Sequence, residues 1–340
     1  MAYTTINKSS SFQNQLLWDG TGATNATTGL GFQPDFCWGK ERSSTSGHIL
    51  QDSVQGLSVY LSSNNDSGTN PTSVQFTSFD SDGFTLGTST GINQSGQTNV
   101  GWAWKAGTTS GLSGGTITPS AYSYNATSGF GIYQYTGTGS AGTIAHGLGK
   151  IPKMIIIKAT STTGNWTTYH AGSGNTKSIV LNTNAADYTS TNWDSTTPTN
   201  SVFYLRAGGD VNTSGVTYLA YVFTDVTGYS KFGSYSGNSD ANGAFVYTGF
   251  KPAFLILKRT DSADWWGMYD NARNPSNVVG ERIYVNESDA GADVTNVDFL
   301  SNGFKLRVTD GAINDSSGSY IYIAFGQSLV GSNNVPCTAR

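Results

Sequence analysis

The side chains that could carry acid–base, nucleophilic or metal chemistry are few, and their spacing does little to gather them. The three histidines, His48, His146 and His170, show neither the HxH nor the HExxH spacing of a zinc site. Serine is plentiful, but no G-x-S-x-G stands in the strand-to-helix elbow that a Ser–His–acid triad of the hydrolase type requires. Asp80 and Asp82, in TSFDSDGF, lie two apart and so on one strand face, as a glycosidase pair could; followed by Gly83, they read more simply as turn residues. Glu281 and Glu287 show no pairing pattern. Oxygen-rich loops at 63–70, 237–243 and 286–296 could surround calcium, but none has the EF-hand order, and solvated turns are the expectation. Cys37 lies in an apolar run and Cys337 near the end, which is neither a metal motif nor a disulfide framework, so Cys37 reads as a small buried hydrophobe. No catalytic residue, cofactor or metal is expected.

Recognition chemistry is better represented. Trp166, in GNWTTYH, and the adjacent Trp265 and Trp266 stand beside Asn and Asp. Buried, they would be a recurring core aromatic; exposed, they would offer platforms for a sugar ring. The tyrosine-rich run AYSYNATSGFGIYQY could form a second such surface or a subunit contact.

The elements that must position these residues recur. GFQPDFCWGKERSSTSG begins at Gly31, GKIPKMIIIKATSTTG at Gly149 and GFKPAFLILKRTDSAD at Gly249. Each has a proline, an apolar run and, six residues after the proline, a lysine: Pro34 and Lys40, Pro152 and Lys158, Pro252 and Lys258. Gly20, Gly137 and Gly237 precede these prolines by 14, 15 and 15 residues, and Phe84, Phe203 and Phe304 follow by 50, 51 and 52. Trp102, Tyr221 and Phe325 mark the closing strands VGWAWKAG, YLAYVFTD and YIYIAFGQ. Landmarks kept at such offsets imply a threefold internal repeat. The expected organisation is an N-terminal arm (1–13), β units at 14–107, 130–227 and 229–330, a linker at 108–129 and a C-terminal tail (331–340).

Six or more short strands per unit, without a long amphipathic helix, predict an all-β chain of three tandem β-sandwich or jelly-roll-like repeat units; a closed barrel stays open as an alternative. Composition agrees: 43 glycines, 12% charged residues and 12% aromatic residues describe a loop-rich β protein with enough rings for a core. A net charge of −4 with scattered Lys and Arg argues against nucleic acid, and no apolar run approaches a membrane span. The start, MAYTTINKSSSFQNQLL, lacks a signal-peptide core, so synthesis in the cytosol is expected.

The stretches YTTINKSSSFQNQLLWDGTG, GFQPDFCWGKERSSTSGH, SFDSDGFTLG and VGWAWKAG resemble a domain family of marine, cyanophage-like bacteriophages associated with tail fibres and other virion proteins. The resemblance is specific over residues 1–107 and weakens beyond, where the second unit loses SDGF. It carries over no catalytic residue. It implies a non-enzymatic virion protein, made in the host cytoplasm: a tail-fibre or receptor-binding component, or alternatively a capsid decoration or tail scaffold protein, with a surface-glycan depolymerase as the least favoured reading. Expected partners are further copies of the chain, other virion proteins and a host surface glycan or protein. Glu41, Arg42 and His48 have no evident counterparts in the other units, so with Trp166, Trp265 and Trp266 they make up the expected recognition surface. Pro34, Lys40, Pro152, Lys158, Pro252 and Lys258 are expected to be structural.

Overall fold

A computed structural model describes residues 4–329. Residues 1–3 of the expected arm, the expected tail 331–340 and Cys337 lie outside the described residues. Apart from single helical turns, the described chain is built of antiparallel β-strands. In the first third these are β1 (Gln13–Asp19), β2 (Asn25–Thr28), β3 (Phe36–Glu41), β4 (Ile49–Asp52), β5 (Val59–Tyr60), β6 (Asn70–Pro71), β7 (Phe76–Asp80), β8 (Gly83–Leu86) and β9 (Thr98–Trp104). Then come β10 (Ala121–Asn125), β11 (Phe130–Thr136), β12 (Gly142–Ala145), β13 (Pro152–Ala159), β14 (Trp166–His170), β15 (Lys177–Val180), β16 (Tyr188–Thr189), β17 (Val202–Leu205) and β18 (Thr217–Thr224). The last group is β19 (Ser230–Ser236), β20 (Phe245–Tyr247), β21 (Pro252–Arg259), β22 (Gly267–Asp270), β23 (Val279–Tyr284), β24 (Ala292–Leu300), β25 (Gly303–Leu306) and β26 (Ser319–Gly326).

One four-strand order occurs in each group: β1-β9-β3-β4, β11-β18-β13-β14 and β19-β26-β21-β22. A second, shorter set accompanies it: β2-β8-β7, β12-β17, and β20-β25-β24. In the last group both sets join through β23 into one eight-stranded sheet that curls into a nearly closed barrel. Leu255, Leu257 and Tyr322 from one side of this barrel meet Val297, Phe299 and Phe304 from the other. The stretch 108–129, expected as a linker, contributes β10 and lays Gly115 beside Ile144 of β12 in an isolated bridge.

The strand registers fix which residues correspond. Trp38 faces Trp102, Ile156 faces Tyr221 and Ile256 faces Ile323; Phe36 faces Trp104, Met154 faces Phe223 and Phe254 faces Phe325. Trp102 and Tyr221 therefore correspond to Ile323 rather than to Phe325, the aromatic that the closing strand offers to the eye. The glycine landmarks also correspond: the N–H groups of Gly20, Gly137 and Gly237 donate to the carbonyls of Gln97, Val216 and Gly318. A Cβ at these three would collide with the backbone of residues 94, 213 and 315 respectively, which leaves only glycine free to sit there.

Buried asparagines recur beside them. Asn93, Asn212 and Asn314, all fully buried, accept through Oδ1 from the N–H of Thr21, Thr138 and Asn238, while each Nδ2 donates to two carbonyls. A buried amide satisfied on both sides specifies its loop, because any other arrangement strands a donor or an acceptor.

Each group has an apolar layer of its own, around Phe84, Phe203 and Phe304. A further layer belongs to all three: Trp104, Phe223 and Phe325 meet with Phe36, Phe130 and Phe254 in one cluster. Trp104 stands edge-on to Phe254 at 5.6 Å and to Phe325 at 5.8 Å between ring centres. The interior of this cluster holds an apolar cavity of about 30 Å³. With no polar group to hold water, such a void is dry.

Candidate functional site

The polar residues singled out in the sequence lie where the three strand groups meet. The loop after each lysine is clasped by a loop of a neighbouring group. Gly164 N donates to Asp66 O (2.8 Å) and Thr69 N to Thr160 O (3.0 Å). Asp264 N donates to Asn184 O (2.7 Å) and Asp187 N to Thr260 O (2.9 Å). Gly291 N donates to Arg42 O and Ser46 N to Ser288 O, both at 2.8 Å. The second group thus holds the first, the third holds the second, and the first closes back on the third.

Lys40, Lys158 and Lys258 are fully buried at these three seams. Each ammonium donates to the carbonyl of the residue after it: Glu41, Ala159 and Arg259. Lys158 reaches on to Asp66 O (3.2 Å) and Lys258 to Asn184 O (3.3 Å), both across a seam. Burial pulls all three down to about 8, against the attraction of nearby carboxylates: Glu41 and Asp289 for Lys40, Asp66 for Lys158, and Asp264 first for Lys258. With no exposed surface, these amines tie loops together across the seams.

Fourteen residues beyond each proline stands a ring that crosses the same seam. Trp166 Nε1 donates to Ser62 O (2.9 Å), and Trp266 Nε1 to Val180 O (3.2 Å). The corresponding residue in the first group is His48, whose Nε2 meets Tyr284 O at 2.9 Å. His48 therefore does have counterparts, contrary to the expectation drawn from residue type. Trp38 Nε1, which can only donate, points at His48 Nδ1 (2.8 Å), so the ring proton lies on Nε2 and the imidazole is neutral. Burial, and secondarily Lys40, pulls His48 down to about 3. His170 accepts from Gly172 N on Nδ1 and His146 from Leu148 N; both hold the same neutral form, His170 pulled by burial to about 4.

Eighteen residues beyond each proline comes a second crossing. Asp52 accepts from Tyr221 Oη (2.9 Å), His170 Nε2 meets Tyr322 O (3.2 Å), and Asp270 accepts from Trp102 Nε1 (2.9 Å). Tyr221 and Trp102 occupy one position of the pattern; Ile323 there has no donor, and His170 takes the adjacent backbone carbonyl instead. Burial raises Asp52, against hydrogen bonds from Gln55, Tyr221 and Val54. Asp270 is further paired with fully buried Arg273 at 2.6 Å, and the Arg273 guanidinium lies 5.5 Å from the Trp102 ring centre.

The first–third seam carries the remaining charges. Arg42 Nη1 lies 3.1 and 2.9 Å from the two oxygens of Glu281. Glu41 is buried beside it and accepts from Ser44 Oγ. Arg282 stacks on Tyr284 at 4.2 Å, and Trp265, half-buried, lies 5.9 Å from the same ring. Of the expected recognition surface, then, Glu41, His48, Trp166 and Trp266 are buried in the seams and take no part in the outer surface. Arg42 and Trp265 keep partial exposure. Residues 8–328 match a family described as a domain of unknown function (DUF7483). The chain belongs to that family. No curated protein and no solved structure matches it.

In this family member the carboxylates that could have formed a hydrolytic pair are engaged locally. Asp80 accepts from Ser78 Oγ and Thr85 Oγ1, while Asp82 accepts from the N–H groups of Gly29 and Gly31. Among the described residues no three His, Cys, Asp or Glu side chains converge as metal ligands, and no helix is long and apolar enough to cross a membrane. The candidate calcium loops at 63–70 and 286–296 supply the seam clasps, and the loop at 237–243 closes on itself through Asn238 and Asp240.

What the seams leave open is a groove of about 440 Å³ between the first group and the 108–129 stretch. Asp35, Ser53, Val54, Thr109 and Tyr122 line it. The proline-run motif supplied Asp35 and the tyrosine-rich run supplied Tyr122, yet neither signals the other in the sequence.

Proposed function

We propose that the chain is three tandem β-sandwich repeats closed head to tail around a shared aromatic core, and that it serves as a non-enzymatic bacteriophage virion component, a tail-fibre or receptor-binding part. One observation carries the reading: Lys40, Lys158, Lys258, His48 and His170 are spent on the seams, while an open groove remains on the outside. A neutral, caged histidine and a buried amine cannot turn a substrate over; a rigid ring of strands with an open groove can present a recognition surface. The resemblance of residues 1–107 to phage virion domains supplies the setting. Repeated copies on a particle would turn weak single contacts into firm attachment.

A structural role as a decoration or scaffold protein is favoured by a different feature. Phe245 and Tyr247 stand 48% and 61% exposed on β20, which pairs with β25. In the other groups the corresponding positions hold Ala26 and Thr28, and Thr143 and Ala145. Two rings side by side on a short strand suit contact with a neighbouring subunit.

Labelling the chain on intact phage particles and imaging them decides between the two. Label at the tail tip, with host adsorption blocked by antibody to the chain, is the expected result. Label spread over the head lattice, with adsorption unaffected, overturns receptor binding in favour of decoration.

A further inference from the structure

The geometry points to the Asp35–Tyr122 groove as a binding site for a neutral saccharide, an assignment that rests on the receptor-binding reading and names its ligand class. Its volume, about 440 Å³, falls in the range of small-molecule sites. Its floor is held in place. Asp35 Oδ1 accepts from Ser53 Oγ (2.9 Å) and Ser123 Oγ (3.0 Å), and Oδ2 from Ala106 N (2.8 Å). Ser123 Oγ in turn accepts from Gly107 N at 2.8 Å, so the carboxylate and its wall are fixed before any ligand arrives. A carboxylate has about four acceptor positions. Three are used, and one remains for a hydroxyl donor.

The other lining groups set the ligand's character. Thr109, at the rim, is exposed and its hydroxyl makes no bond among the described residues. Tyr122 is half-buried; its oxygen accepts from Leu112 N at 3.0 Å, which leaves its ring face and its own hydroxyl proton to a ligand. Val54 adds a second apolar surface. Neither Lys nor Arg lines the groove, and Asp35 is its sole ionisable carboxylate. An anionic sugar would meet uncompensated repulsion. A neutral pyranose fits each feature: a hydroxyl for Asp35, another for Thr109, and a C–H face for the Tyr122 ring. The outer wall comes from the 108–129 stretch, whose strand β10 adds an edge to the second group.

The test is ligand-observed NMR titration of the full chain. The panel is the methyl glycosides of glucose, galactose, mannose and rhamnose, with N-acetylglucosamine; sialic acid and choline serve as anionic and cationic controls. Expected is millimolar binding of at least one neutral sugar, weakened about tenfold or more by Tyr122→Ala and by Thr109→Trp, which fills the groove from its rim. Thr109→Trp alters an exposed, unbonded side chain, so it decides the matter even where Asp35→Asn or Tyr122→Ala disturbs folding. No neutral sugar bound, binding unchanged in Thr109→Trp, or preference for sialic acid or choline would each overturn the assignment. Tail-tip labelling alongside an empty groove would leave receptor binding standing and this site refuted; sugar binding by a chain that is not on the particle would do the reverse.

Discussion

The seam between the first and third strand groups and the two seams involving the second solve one problem with different rings. At the latter, a buried indole N–H crosses to a neighbour's carbonyl: Trp166 to Ser62 and Trp266 to Val180. At the former, His48 makes the same crossing to Tyr284 and is itself gripped by Trp38 Nε1. What the position requires is an N–H aimed across the seam, not a particular side chain. The exchange has two consequences. The smaller imidazole leaves space that Trp38 occupies where the other groups have Ile156 and Ile256, and it puts a titratable ring at the position where the other two seams have an indole.

The largest effect should follow from removing the indoles. Trp166→Ala or Trp266→Ala deletes a fully buried ring and is expected to lower stability by about 3–5 kcal/mol. His48→Ala removes less volume and leaves the Trp38 N–H and Tyr284 carbonyl unmet, for about 1–3 kcal/mol. Guanidinium denaturation of the three variants measures the order. A His48→Ala loss equal to that at Trp166 would break the comparison, since the histidine seam would then be as dependent on its ring as the others.

Much of this organisation was legible in the sequence, and the part that was not has a physical cause. The proline-to-lysine spacing placed Lys40, Lys158 and Lys258 at equivalent strand ends, because a strand entry and a buried amine each tolerate few residue types. The same count, carried to fourteen, would have aligned His48 with Trp166 and Trp266. Side-chain type hides this correspondence, because the seam selects for a donor and an imidazole and an indole both supply one. At eighteen residues, Asp52 and Asp270 are carboxylates but His170 is an imidazole, and their common role appears only once their partners Tyr221, Trp102 and Tyr322 are known. Those partners belong to another strand group, and no local pattern encodes a contact between groups. The groove is hidden from the sequence for the same reason: Asp35 and Tyr122 become neighbours only through tertiary packing.

The next effect is the pH dependence that His48 adds to the first–third seam. His48 titrates near 3 when folded and near the ordinary 6.5 when unfolded, so between these values the unfolded chain binds more protons. Its contribution is present above 6.5 and is lost as the pH falls toward 3. His170, at about 4, acts in the same sense, and Asp52, raised by burial, in the opposite one. His48→Gln separates them: the amide can accept from Trp38 and donate to Tyr284 without titrating. The variant should lose stability less steeply than the parent below pH 6.5, with slower amide exchange at Ser46 and Gly291 in acid. On the alkaline side, all three lysines titrate near 8 folded and near 10.5 unfolded, so stability should rise from pH 8 toward 10 in parent and variant alike. Above that, the raised tyrosines, such as Tyr221 and Tyr229, reverse the trend. Identical acid limbs in parent and His48→Gln would remove the distinction between the seams.

The smallest effect concerns Arg42 and Glu281, the ion pair found at the histidine seam. It looks like the feature that should hold that seam shut, with Nη1 within 3.1 Å of both carboxylate oxygens. Both side chains keep about a fifth of their surface in water, at 22% and 17%, and a single nitrogen makes both contacts, so the two-nitrogen fork that strengthens arginine–carboxylate pairs is not formed. Arg42 Nε is buried without an acceptor, which offsets part of the gain. A double-mutant cycle with Arg42→Met and Glu281→Gln should therefore return a coupling of about 0.5–1 kcal/mol that shrinks with added salt. The backbone bonds Gly291 N to Arg42 O and Ser46 N to Ser288 O survive both substitutions and keep the loops clasped. A coupling several times larger, insensitive to salt, would shift the weight of this seam from its backbone clasp and neutral ring to its charges.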